Sequence, residues 1–129
     1  DWSNAWDYNS LANISDGLFI MGYAYHWSGS QATGPNSPLT GSGHTITSTV
    51  FDYLSKTNYQ SEKLILGCPY YGFVWPSESN IPGSATTGTG QAQFYSQMEG
   101  SALSFGKLWH QTSQTPWYNY ENTEWYQGW

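Results

Sequence analysis

The sequence predicts an α/β chain, with parallel strands in residues 1–76 and a small α+β unit in residues 77–129. Three observations carry that prediction. Two short apolar runs, Leu18 to Tyr23 and Lys63 to Pro69, have the continuous pattern of strands covered on both faces. Between them, Val50, Phe51 and Leu54 recur at helical spacing. After residue 107, Trp and Tyr alternate with turn residues, the pattern of antiparallel strands.

The elements follow in order. Residues 3–14 read as a short helix, capped by Ser3 and apolar at Leu11, Ala12 and Ile14, and Asp16-Gly17 is a turn. The first strand then runs into a Ser/Gly/Pro/Thr-rich stretch from Trp27 to Gly43, a loop of the length that compact domains reserve for function. An amphipathic helix over Thr45 to Asn58, ending near Lys56, leads to the second strand, which completes a β-loop-α-β unit. Residues 77–90 are again turn-rich, Gln91 to Met98 read as one short helix, and 107–129 as short aromatic strands.

Composition narrows function. The chain has 129 residues, of which only 3 are Lys, none Arg and 9 Asp or Glu, against 24 aromatics. Disordered chains are charge-rich and aromatic-poor, which excludes disorder. A net charge of −6 without one Arg excludes phosphate neutralisation, and so nucleic acid as a partner. The longest apolar run, Leu18 to Met21, is far short of the roughly 20 residues of a membrane span. What remains is an uncharged polar surface bearing many rings. Sugars are neutral, carry hydroxyls and present C–H faces that stack on Trp and Tyr, so an oligosaccharide or polysaccharide is the expected partner.

Catalytic and metal motifs are sparse. His26, His44 and His110 lack ligand spacing, so no metal and no cofactor is expected. There is no Gly-x-Ser-x-Gly, and Gly88-Thr89-Gly90 does not follow a strand or carry a Lys. Cys68 is the only cysteine; within its apolar run it is expected to be buried and inert. The nine acids are scattered over helices and turns, and Glu121-x-x-Glu124 reads as a solvated hairpin edge. None ends an apolar strand, where a barrel enzyme would place one. The strand ends do carry rings: Met21, Tyr23 and Trp27 after the first, Tyr71, Phe73 and Trp75 after the second. In α/β proteins that end of the sheet binds ligands, and two such ends side by side make a stacking cleft.

These strand ends resemble family 18 glycoside hydrolases, the chitinase-like barrels. Met21-Gly22-Tyr23-Ala24-Tyr25-His26 is similar to the family's Met-x-Tyr-Asp-x-His, Gly34 to Leu39 to its following Gly-Pro-Asn-Ser-Pro-Leu loop, and Lys63 to Gly72 to its seventh strand. The resemblance implies a fragment of a (β/α)8 barrel, strands six and seven, followed by the family's α+β insertion domain. It implies a secreted parent protein that cuts N-acetylglucosamine polymers by substrate-assisted retention, one of the exceptions to the two-carboxylate scheme. Its general-acid Glu would lie before Asp1, so the fragment alone is expected to be inactive. Tyr23 would be the catalytic contact, bonding the N-acetyl oxygen. Met21, Trp27, Tyr71, Phe73 and Trp75 would line the cleft with it. The chain departs from the family at Ala24, where an Asp is usual, and at Phe73, where an Arg is often found. Loss of one such charged hydrogen bond costs about 1.5–3 kcal/mol, which motivates the alternative of a non-catalytic sugar-binding relative. A third reading, an unrelated carbohydrate-binding β-sandwich, conflicts with the helical pattern at 45–58. Two strands with open edges also predict self-association of the fragment.

Overall fold

A computed structural model describes residues 5–129. The Ser3 cap lies outside that range. Asp7 caps the first helix instead: its Oδ1 accepts the Ser10 amide at 2.9 Å, and α1 spans Tyr8–Ile14. That contact holds the exposed Asp7 carboxyl below its usual pKa.

β1 (Leu18–Met21) and β2 (Leu64–Gly67) pair in parallel, with Leu18 opposite Leu64 and Met21 opposite Gly67. The helix between them, α2 (Ile46–Lys56), starts at a reciprocal cap. Thr45 Oγ1 accepts the Ser48 amide at 3.1 Å, and Ser48 Oγ accepts the Thr45 amide at 2.9 Å. The predicted β-loop-α-β order is therefore present. α1 docks on α2 through a Tyr8–Tyr53 edge contact at 5.2 Å, and the Gln60 amide bonds Asn9 and Asn13 just beyond α2. Glycine lets the two strands close: a Cβ on Gly22 would lie 2.7 Å from the Gly67 carbonyl.

A five-stranded antiparallel sheet follows, in the order β4-β3-β7-β6-β5. Its members are β3 (Tyr71–Ser77), β4 (Gln91–Phe94), β5 (Leu108–His110), β6 (Thr115–Glu121) and β7 (Trp125–Gly128). Helix α3 (Tyr95–Phe105) packs Ala102 and Met98 against Val74 and Tyr118 of the sheet. Another cluster, Phe73, Trp75, Trp117 and Trp129, forms the rest of the core. Gln127 is fully buried between β7 and its surroundings. It accepts from Thr33 Oγ1 at 2.8 Å and donates to the carbonyls of Ser79 and Ile81.

Four expectations need correction. Within these 129 residues β1 and β2 are not covered on both faces, since Phe19, Met21, Ile65 and Leu66 are exposed and only Ile20 among their apolar side chains is buried. Phe51, expected on the apolar side of α2, is exposed. Cys68 is exposed, one residue beyond the ladder with β1, which ends at Gly67. Residues 91–98 are not one helix: Gln91–Phe94 pair with β3, and the helix starts at Tyr95 and runs to Phe105. A neighbouring strand supplies the ladder that the local sequence does not announce. β3 runs through residues 76 and 77, and all its strand pairs lie in the second sheet.

Candidate substrate cleft at the strand ends

Tyr23 lies just beyond β1, and Tyr71 opens β3. Their rings meet edge to face at 6.2 Å, interplanar angle 66°. The aromatic contacts continue along β3, Tyr71 to Phe73 at 5.7 Å and Phe73 to Trp75 at 5.6 Å. Alternate residues of a strand face the same side, which is why 71, 73 and 75 form a row. At the far end, Trp75 Nε1 donates to the Trp27 carbonyl at 3.1 Å.

Asn36, buried in the long loop, fixes this arrangement. Its Oδ1 accepts the Ala24 amide at 2.7 Å, its Nδ2 donates to the Tyr71 carbonyl at 2.8 Å, and its own carbonyl accepts the Tyr25 amide at 3.1 Å. One side chain thus clips the chain after β1 to the start of β3. Ser37 Oγ adds a bond to the Gly22 carbonyl at 2.6 Å. His26 Nδ1 lies 3.0 Å from the Pro35 carbonyl, which can only accept, so Nδ1 carries the proton. Ala24 is held at φ +59°, a left-handed conformation uncommon for Ala. Composition flags rings and acids; it does not flag Asn36, because Asn in a loop is an ordinary turn residue. The signal available was its place within Gly34 to Leu39.

The predicted side chains divide into three groups. Tyr23 and Tyr71 are together and partly accessible. Met21 and Trp27 are exposed. Phe73 and Trp75 lie in the core cluster rather than at a surface, with Trp75 0% exposed. Burial, then the nearby Tyr23, pushes the Tyr71 phenol above its ordinary pKa, so its hydroxyl is neutral at physiological pH. Such a hydroxyl both donates and accepts, as a sugar hydroxyl or amide requires. A cavity of about 280 Å³ adjoins Tyr71 and Asn36 and runs between α3 and the aromatic strands, lined by Met98, Trp117 and Trp129.

No carboxylate among the described residues bonds Tyr23 or Tyr71. Asp52 pairs with Lys56 at 2.7 Å, Glu99 accepts from Tyr95 Oη at 3.1 Å, and Glu124 accepts from Thr87 Oγ1 at 2.7 Å. No group of three His, Cys, Asp or Glu side chains that could hold a metal occurs among the described residues. None of the described helices is long and apolar enough to cross a membrane.

The chain is similar to several known proteins. A chain described as probable chitinase 2 of Drosophila melanogaster is 40% identical over 70 residues, which are 53% of this chain and 14% of the insect protein. The crystal structure of a family 18 chitinase from Cycas revoluta in complex with (GlcNAc)3 superposes with TM-score 0.80 at 22% identity, over 96% of this chain and 37% of the cycad chain. A chitinase-like agglutinin from Robinia pseudoacacia shares the fold at TM-score 0.74 and 22% identity, over 95% of this chain and 37% of its own. The chain thus spans well under half the length of each of these proteins. The family model described as glycosyl hydrolases family 18 matches residues 1–128, and the chain belongs to that family.

Proposed function

We propose that the chain is the part of a chitin-type glycosidase that holds an N-acetylglucosamine unit at the point of cleavage. The edge-to-face Tyr23–Tyr71 pair, locked at two strand ends by Asn36, carries this reading. A neutral, ring-lined cleft suits an uncharged sugar. In barrel terms, β1 and β2 would be strands six and seven, and the five-stranded sheet with α3 the insertion domain.

The mechanism that fits is substrate-assisted. A general acid protonates the glycosidic oxygen, the C–O bond breaks, and the substrate's N-acetyl oxygen attacks the anomeric carbon. Water then opens that ring, giving the retained product and returning the proton. Tyr23 Oη would donate to the N-acetyl oxygen and orient it, Met21 would form the floor, and Tyr71 would flank the sugar. In this reading the general acid comes from elsewhere in a longer protein, and these 129 residues alone are expected to release no product. The family's polymeric substrates fit export of the whole protein.

Tyr23→Phe in the full-length protein tests this reading. Removing one positioned hydroxyl is expected to lower kcat on an N-acetylglucosamine oligomer by about 10²-fold, with a smaller change in KM. An unchanged kcat sinks it. A second reading, a sugar-binding relative without turnover, is favoured by Ala24, which lacks the acidic side chain usual there. It predicts oligosaccharide binding with no reducing ends released by the full-length protein, and measurable turnover rejects it.

A further inference from the structure

Among the Asn residues of the sequence, only Asn13 is followed two positions later by a hydroxyl side chain with no Pro between: Asn13-Ile14-Ser15. That spacing is the acceptor pattern for N-linked sugar. We propose that Asn13 is a glycosylation site, taking an oligosaccharide from a lipid-diphosphate donor as the chain is exported. The proposal shares with the glycosidase reading only the export of the whole protein and needs no turnover.

The structure presents this side chain in a form that can carry a sugar. Asn13 is exposed in the last turn of α1, on an element that holds none of the Tyr23–Tyr71 site. Its Oδ1 accepts from Gln60 Nε2 at 3.1 Å, and Gln60 Nε2 also bonds Asn9 Oδ1 at 2.9 Å. Asn13 Nδ2 has no hydrogen-bond partner among the described residues. A glycosylated amide keeps its oxygen as an acceptor and gives up one of two N–H donors, so the Gln60 bond survives the modification. Next to it, Ile14 is 82% exposed, the most exposed large apolar side chain among the described residues. A sugar attached one residue away offers C–H surface to cover it.

The transfer step precedes folding. In the folded chain Ser15 Oγ donates to the Leu11 carbonyl at 2.8 Å, so its hydroxyl is free for recognition only before α1 closes. With seven residues α1 does not hold itself helical in water, and the segment stays open until α1 docks on α2. Asn13 Nδ2 then attacks the anomeric carbon of the donor. A C–N bond forms, the C–O bond to the diphosphate breaks, the lipid diphosphate leaves, and Nδ2 loses one proton. The helix can still close afterwards, because Ser15 leaves it in an extended conformation (φ −115°, ψ 164°) at an exposed end. A bulky surface group is tolerated there.

The experiment is secretion of the full-length protein from yeast, with mass spectrometry of the peptide that contains Asn13. The peptide is measured before and after peptide-N-glycosidase treatment in heavy-oxygen water, which converts a glycosylated Asn to labelled Asp. The expected result is a glycan-bearing peptide that yields labelled Asp. Asn13→Gln and Ser15→Ala are expected to abolish the modification. Ser15→Thr is expected to keep it, which ties the loss to the hydroxyl rather than to misfolding. A bare Asn13 in the secreted protein overturns the proposal, as does a modification that persists in Ser15→Ala. Turnover of an N-acetylglucosamine oligomer, measured on the same samples, separates the two readings. An active protein bare at Asn13 sinks only the glycan, and a glycosylated protein without turnover sinks only the glycosidase.

Discussion

Asn36 shows how one polar side chain converts a loop into a site. Its amide satisfies two part-buried backbone groups, one in the chain after β1 and one at the start of β3, and removing it strands both. Asn36→Ala is therefore expected to cost about 2–4 kcal/mol of stability, more than an average surface change. Asn36→Asp keeps an acceptor for the Ala24 amide but sets a carboxylate oxygen against the Tyr71 carbonyl, so it should cost at least as much. Urea unfolding of the three proteins checks the order; equal stability of all three would show that the clip does not hold the strand ends. Tyr23 and Tyr71 were legible in the sequence because rings at strand ends stand out. Asn36 was not, since its partners are backbone groups 12 and 35 residues away and leave no local pattern. Ala24 belongs to the same scale: the loop holds it at positive φ, a geometry that Asp or Asn tolerates better than Ala.

Elements differ in how well the sequence announces them. Period decides α2 and the parallel pairing of β1 with β2, so those were legible. β3 was not, because Tyr71-Gly72-Phe73-Val74-Trp75 reads equally as the tail of a buried strand or as a strand of its own. What settles it is nonlocal: β4 on one side, from Tyr71 opposite Phe94 to Val74 opposite Gln91, and β7 on the other, from Val74 opposite Gly128 to Ser77 opposite Trp125. The same pairing converts Gln91–Phe94 from an expected helix to a strand. Trp75 is the hinge pin of β3, and Gly90 leaves it space: a Cβ there would lie 2.3 Å from Nε1 of the indole. A fully buried ring wedged by β3 has little room to yield. Gly90→Ala is expected to destabilise by about 1–3 kcal/mol through overpacking, read as a lowered thermal midpoint. A midpoint equal to or above that of the unmodified chain would mean that the loop moves freely away from Trp75.

At the scale of the whole chain the two sheets are unequal. The five-stranded sheet has α3 and two clusters of buried rings. The parallel pair has two open edges and four exposed apolar side chains: Phe19 60%, Met21 67%, Ile65 54% and Leu66 40%. Parallel strands are otherwise found with both faces covered, and unpaired edges are templates for another chain. A net charge of −6 on 129 residues opposes association only weakly at physiological salt, where screening acts over about 8 Å. The isolated 129-residue chain is therefore expected to self-associate through β1 and β2, with a light-scattering mass that rises with concentration. Phe19→Ser with Ile65→Thr should return it towards monomer, because both changes remove apolar surface and keep the backbone hydrogen bonds of the β1–β2 ladder, in which the two residues face each other. A monomer mass at every concentration would show that this face needs no cover. An unchanged assembly in the double variant would place the contact elsewhere on the chain.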